Sequence, residues 1–362
     1  MKPITIEKAG AKIWRAKLTR PFSIAKGQHD LLENVLFWIE LSNGARGFGE
    51  AAVATHITGE TIEETLHHLK ETARQVPGRS IPEFPRIAEE NKSRLSKNPC
   101  ALAALEMALL DALTREKKMP LWRAFGTRAR TLKTDMTVVL GDLFEAEAAA
   151  REILKRGIRS LKVKIGRNFD LDLCRVATVA KIAKKCPLFL DANQGFTAVQ
   201  TLKFLKELKR LKIKPALIEQ PVPKEDWEGL SKVSRDGGIL VCADESVSSF
   251  QDAKRLVRQK AAGAINIKLM KMGLLGAYEI ACFAKRNGVR LMIGTMMETP
   301  LAATAAAHLA AGMGGFDFID LDAPFFMAER ITRGNFVNRA GLYDLRKVEA
   351  GIGVLPFHTP GV

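Results

Sequence analysis

The chain has 362 residues, of which 47% are hydrophobic and 27% charged, a balance that excludes a disordered or collagen-like protein and calls for one large core plus a smaller one. The formal net charge is +16, which raises a nucleic-acid partner, but the basic residues point elsewhere. In Lys203-Phe204-Leu205-Lys206-Glu207-Leu208-Lys209-Arg210-Leu211 the apolar residues recur at helical spacing and the charges fall on the other side, as on a solvated helix face; no aromatic-interleaved basic patch or zinc finger appears.

The opening residues, Met1 to Glu7, lead into no long apolar run, so no secretory leader is expected. Residues Ile4–Leu18 and Asn34–Leu41 read as strands, Ser42-Asn43-Gly44 as a turn, and Gly47–Glu50 as a further short strand. Thr61-Ile62-Glu63-Glu64 has the form of a capping box, and Cys100–Thr114 reads as a helix. His67 and His68, adjacent on a helix, diverge and make a poor metal pair. From about Thr131 short apolar runs alternate with amphipathic helices. The runs are Asp135–Leu140, Ser160–Ile165, Leu188–Leu190, Ala216–Ile218, Leu240–Ala243, Ala264–Ile267, Leu291–Ile293 and Phe316–Ile319. Eight such strands predict a closed parallel α/β barrel. A doubly wound open sheet is the alternative, but its glycine-rich phosphate loop is missing. Leu301–Gly315, rich in Ala and Gly and carrying His308, is too short to span a membrane and reads as a buried helix. The five cysteines (Cys100, Cys174, Cys186, Cys242 and Cys282) form no C-x-x-C and are expected as free thiols in a reducing cytoplasm.

The polar residues that end the runs carry the chemistry. Lys164, Asp191, Glu219, Asp244, Lys268, Gly294 and Asp320 follow one another at steps of 27, 28, 25, 24, 26 and 26 residues, about one βα unit each. One group is thus delivered per strand at the C-terminal face, where barrel active sites lie. An Asp after a strand is commonly a helix cap. Three carboxylates in phase on consecutive strands, flanked by lysines in the same phase, are hard to obtain from capping. Asp191, Glu219 and Asp244 would converge, and three carboxylates stay ionised together only around a cation. Oxygen ligands without histidine argue for one Mg2+ per subunit, with Mn2+ as a substitute. Lys162 and Lys164, two apart on a strand, share a side. Neighbouring cations would depress the pKa of a buried lysine there and make it a base. Lys268 arrives from across the triad, as a two-base mechanism needs.

Ser160-Leu161-Lys162-Val163-Lys164, Leu190-Asp191-Ala192-Asn193, Ile218-Glu219-Gln220-Pro221, Ala243-Asp244-Glu245-Ser246 and Asn266-Ile267-Lys268-Leu269-Met270-Lys271 together resemble the muconate lactonizing subgroup of the enolase superfamily, over nearly the whole chain. The resemblance implies a (β/α)7β TIM-like barrel over residues 128–345. It implies an N-terminal α+β capping domain over 1–127, completed by 346–362. Asp320-Leu321-Asp322 is similar to the D-x-D motif of dipeptide epimerases, whose two carboxylates hold the α-ammonium of an L-Ala-X dipeptide. Met296-Met297-Glu298-Thr299 is similar too. The implied reaction is a Mg-dependent 1,1-proton transfer through an enediolate that inverts the α-carbon of the C-terminal residue. Lys164 and Lys268 are the implied bases. Lys162, Thr137, Met297, Asp320 and Asp322 are the implied substrate contacts, and Asn193 and Glu245 support them from behind. Glutamate-specific members carry an arginine in the first specificity loop, where this chain has Gly27; Lys26 or His29 could take its place, and His56 is expected near the second lid loop. An N-acylamino acid racemase, an o-succinylbenzoate synthase and a muconate-type cycloisomerase share the barrel and metal, but none needs a D-x-D pair. A non-catalytic basic nucleic-acid-binding protein is the alternative of another class. A homo-oligomer acting on a small dipeptide, without nucleic acid or membrane, is expected.

Overall fold

A computed structural model of the chain describes the backbone of residues 3–24 and 27–357, and their side chains except at 20–30 and 56. Lys26 and the side chains of His29 and His56 therefore lie outside the described residues. The N-terminal part opens with an antiparallel meander of β1 (Ile6–Ile24), β2 (Gly27–Leu41) and β3 (Arg46–Ala51). The first two strands run past the expected Leu18 and Asn34 because they continue pairing to Ile24↔Gly27. After a single helical turn at Thr55–Thr58, three longer helices follow: α1 (Ile62–Gln75), α2 (Phe84–Arg94) and α3 (Pro99–Glu116). The capping box forms as its spacing dictates, with Thr61 Oγ1 accepting from Glu64 N at 3.2 Å and Glu64 Oε2 accepting from Thr61 N at 3.1 Å. Residues 100–114 of α3 are buried on every side, because the helix is sandwiched between the cap sheet and a barrel helix.

Eight strands then alternate with seven helices. The strands are β4 (Met136–Val138), β5 (Leu161–Lys164), β6 (Leu188–Asp191), β7 (Leu217–Glu219), β8 (Leu240–Ala243), β9 (Ala264–Ile267), β10 (Arg290–Gly294) and β11 (Phe318–Asp320). Each pairs in parallel with the next in chain order. At the seam Asp135 N donates to Ile319 O (2.9 Å) and Leu321 N to Thr134 Oγ1 (2.8 Å), bringing the last strand back to the first. The helices are α4 (Leu143–Arg156), α5 (Phe169–Ile182), α6 (Ala198–Arg210), α7 (Trp227–Asp236), α8 (Phe250–Gln259), α9 (Leu269–Arg286) and α10 (Pro300–Met313). The closed parallel sheet of the (β/α)7β type agrees with the sequence expectation and excludes the open alternative. Phe189, Leu217, Cys242, Ala264, Met292 and Phe318 fill the barrel interior, with Phe189 and Phe318 edge to face at 5.4 Å. α6 buries Phe204, Leu205 and Leu208 and turns its lysines outward. α10 is buried, all five cysteines are free thiols, and no described helix is long and apolar enough to cross a membrane.

Two buried cap carboxylates reach across to barrel helices. Glu50 of β3 accepts from Thr299 N (2.9 Å) and Ala302 N (3.3 Å) at the start of α10, and from Asn34 Nδ2 (2.6 Å) of β2. Asn34 also donates to Met297 O at 2.9 Å. Glu106 of α3 accepts from Leu275 N (2.9 Å) where α9 is broken at Gly273, whose φ of +73° favours glycine. A Cβ at Gly273 would lie 2.6 Å from Glu106 Oε2. Burial pushes Glu106 up to about 7 against its backbone hydrogen bonds. The C-terminal segment returns to α3, where Ile352 N donates to Asp111 Oδ1 at 2.6 Å.

Candidate active site

The side chains that cap helices are not the in-phase residues; Lys268 stands at the N-cap position of α9, but its side chain makes no capping hydrogen bond. Asp142, Asn168, Thr197, Asp226, Ser249 and Thr299 cap the barrel helices α4 to α8 and α10. Asp191, Glu219 and Asp244 are therefore free of capping duty and point into the barrel mouth. Register sets Lys164 beside Asp191 and Asp191 beside Glu219. Cys242 stands beside Glu219, and Asp244, two residues on, takes the next inward position.

Four ammonium groups interleave with these carboxylates. Lys162 Nζ lies 2.8 Å from Asp191 Oδ2, 2.8 Å from Glu219 Oε2 and 2.7 Å from Asp320 Oδ2. Lys164 Nζ donates to Asp191 Oδ2 (2.7 Å) and Asn193 Oδ1 (2.9 Å). Lys268 and Lys271 each hold one oxygen of Asp244, at 2.8 and 2.7 Å. Burial would raise Asp191 and Asp244, but their lysine partners hold both well below the usual carboxylate range. Glu219 is pushed up to about 8, chiefly by burial and then by the charge of Asp191. Burial lowers Lys162 and Lys268, but the facing carboxylates outweigh it and raise both above the ordinary lysine value.

Between Lys164 on β5 and Lys268 just past β9, second and sixth of eight strands and so on opposite sides, lies a cavity of about 60 Å3. Thr137, Asn193, Met297, Asp320 and Asp322 also line it, as does an apolar strip of Val53, Ala54 and Ile57 from the cap. Asp322 Oδ2 accepts from Thr137 N at 2.7 Å, and burial with the charge of Asp320 raises Asp322 to about 6. Thus Lys162, Lys164, Lys268, Thr137, Met297, Asn193, Asp320 and Asp322 gather at one place. Glu245, buried with Oε2 unpartnered, lines a neighbouring polar chamber instead of the cavity.

Sequence reasoning missed three groups. Asn266 donates to Glu219 Oε1 at 2.8 Å, and its signal was a polar residue two before Lys268, on the inward side of a strand between isoleucines. Lys271 had the signal of lying one helical turn after Lys268. Asp135 is fully buried, and its carboxyl gathers with those of Asp320 and Asp322 within 4.8 Å. It lies two before Thr137 and shares its side. The Asp191, Glu219 and Asp244 set consists of buried hard oxygens from three adjacent strands, with Glu219 Oε2 in ion-pair contact but without a hydrogen bond among the described residues, and it fits a hard divalent cation.

A family model described as "Enolase C-terminal domain-like" matches residues 145–356, and one described as "Mandelate racemase / muconate lactonizing enzyme, N-terminal domain" matches residues 8–126. The hydrophobic dipeptide epimerase of Citrifermentans bemidjiense is 45% identical over 97% of this chain and 98% of its own length. The aromatic dipeptide epimerase of Herpetosiphon aurantiacus is 40% identical over 97% of this chain and 99% of its own. The crystal structure of a dipeptide epimerase from Enterococcus faecalis V583, complexed with Mg and L-Leu-L-Tyr, superposes with a TM-score of 0.92 at 31% identity, covering 97% of this chain and 99% of that one. The chain belongs to the mandelate racemase / muconate lactonizing enzyme family of the enolase superfamily.

Proposed function

We propose that this protein is a dipeptide epimerase, an isomerase that inverts the α-carbon of the C-terminal residue of an L-Ala-X dipeptide whose X is apolar. The observation that carries the reading is one cavity with lysines on opposite walls and a buried carboxylate pair, Asp320 and Asp322, at its lining. The relatives named for hydrophobic and aromatic dipeptides support it, as does the apolar cap strip of Val53, Ala54 and Ile57.

Asp320 and Asp322 grip the substrate's α-ammonium, steadied by Thr137 N, while Met297 and the cap strip take the side chain. Lys164, oriented by Asp191 and Asn193, takes or returns the α-proton on one face, and Lys268, oriented by Asp244, serves the other. Lys162 faces the negative charge that gathers on the substrate carboxylate oxygens as the proton leaves and the enediolate forms. Asp191, Glu219 and Asp244 would hold one Mg2+ per subunit, for which Mn2+ can substitute. When bound, the ion would supply positive charge at the substrate carboxylate and compete with the lysines for these carboxylates. We assign residues 1–127 with 346–362 to the cap and 128–345 to the barrel. The enzyme acts in the cytoplasm as a homo-oligomer without nucleic acid, and gel filtration tests the assembly.

Steady-state rates on matched L-Ala-L-Phe and N-acetyl-L-Ala-L-Phe test the reading. Acetylation removes the ammonium and leaves one buried carboxylate charge of the pair unmet, so kcat/KM should fall at least about a hundredfold. Equal turnover of the two would reject the dipeptide reading in favour of an N-acylamino acid racemase.

A further inference from the structure

Asp135 has no place in the chemistry derived above, yet it is fully buried directly beside the carboxylate pair. Its backbone is fixed at the barrel seam, where its N donates to Ile319 O at 2.9 Å. The neighbouring Thr134 and Thr137 both bond to the Asp320–Asp322 segment, so the strand wraps the pair from behind. Neither carboxyl oxygen of Asp135 receives a hydrogen bond among the described residues. Lys162, the cation whose charge reaches it, is already committed to Asp191, Glu219 and Asp320. An ionised Asp135 would be a third anion packed against two others, with no donor and no cation of its own.

We propose that Asp135 is a neutral carboxylic acid that donates a hydrogen bond from its O–H to Asp320 and so positions the ammonium-binding pair from beneath. The inference rests on the dipeptide reading of that pair. It explains how three acids occupy one buried place: with Asp135 neutral, Asp320 and Asp322 carry two charges, to be met by Lys162 and one substrate ammonium. Burial and the charges of Asp320 and Asp322 push Asp135 well above the usual carboxylate range, in keeping with the geometry. Asp135 is a positioning residue, since the substrate touches Asp320 and Asp322 and not Asp135.

The variants Asp135→Asn and Asp135→Ala separate the possibilities. Asparagine keeps a donor without charge, so kcat/KM for L-Ala-L-Phe should stay within about threefold of native. Alanine removes the donor, so kcat/KM should fall about ten- to a hundredfold, mainly through KM, with N-acetyl-L-Ala-L-Phe much less affected. An infrared difference spectrum of native minus Asp135→Asn at about pH 8 should show the carbonyl stretch of a protonated carboxylic acid, whatever the substrate. A fall with asparagine as deep as with alanine would overturn the proposal, as would native activity in Asp135→Ala or the absence of that band. Loss of bound magnesium in Asp135→Asn would overturn it too, in favour of three carboxylates holding the ion. Failure of the native enzyme to act on any free dipeptide would fall on the functional reading, while the infrared band decides the state of Asp135 by itself.

Discussion

Replacing Gly294 by alanine should disturb the candidate metal centre without touching any of its carboxylates. An alanine Cβ at Gly294 would lie 2.5 Å from Asn266 Oδ1, 2.8 Å from Nδ2 and 3.0 Å from Cγ. Asn266 is fully buried and cannot swing into solvent, so it has to abandon its 2.8 Å hydrogen bond to Glu219 Oε1. Overpacking of this kind costs about 1–3 kcal/mol. The lost hydrogen bond, to a carboxyl pushed up to about 8, adds roughly 0.5–1.5 kcal/mol. Together they predict a loss of about 3 kcal/mol, or roughly 4 °C in Tm for a chain of this length. A carboxylate that has lost its supporting partner should also bind Mg2+ about 10- to 100-fold more weakly. Calorimetry measures the first effect and magnesium titration the second. In an Asn266→Ala background the obstacle is gone, and Gly294→Ala should then cost less than about 1 kcal/mol. The same loss in both backgrounds would refute the argument.

Three further outcomes are expected. Glu106 titrates near 7 in the fold against an ordinary 4.5, so its ionised form is disfavoured. Its contribution to stability is greatest below 4.5, falls as pH rises toward 7 and is flat above. Glu106→Gln cannot ionise, so the Tm difference between variant and native should move in the variant's favour by roughly 2.5 kcal/mol, or about 3 °C, from pH 5 to pH 8; a difference independent of pH would contradict it. EDTA should abolish epimerisation and Mg2+ restore it, while Asp244→Asn should lose both activity and bound metal by elemental analysis; full activity in EDTA would remove the metal from the scheme. Lys164→Ala and Lys268→Ala should each stop epimerisation while one epimer alone still exchanges its α-proton with D2O, read by mass spectrometry. Near-native epimerisation by either variant would end the two-base scheme.

The barrel and its ring of charges were legible because a βα repeat of constant length writes its strand ends into the sequence at constant intervals. Lys164, Asp191 and Glu219 stand side by side in register for that reason. Asp244 and Lys268 fall just past their strands without leaving the site. What stayed hidden depends on partners far apart in sequence. Asp135 opens a run that reads as an ordinary strand, and its meaning comes from acids near the other end of the barrel, across a seam that only closure creates. The same holds for the lysines: the sequence displays the charges, whereas their net effect depends on which opposite charge lies within 3 Å. The strip of Val53, Ala54 and Ile57 that lines the cavity has no signature in the sequence beyond a short run of apolar residues. Its importance comes from the cap being laid over the barrel mouth.

The carboxylates that join cap to barrel set the terms on which this fold can be recombined. Glu50 and Glu106 are buried in the cap, but the amide groups they satisfy belong to the barrel. A cap that swung away as a body would strand both acids and uncover the amides they satisfy, so these joints oppose a hinge between the two parts. The same joints make the specificity half of the enzyme non-modular. A chimera that takes its cap from one relative and its barrel from another must bring Glu50 with Thr299, and Glu106 with the break at Gly273, or it will assemble two well-formed halves around a misplaced Met297.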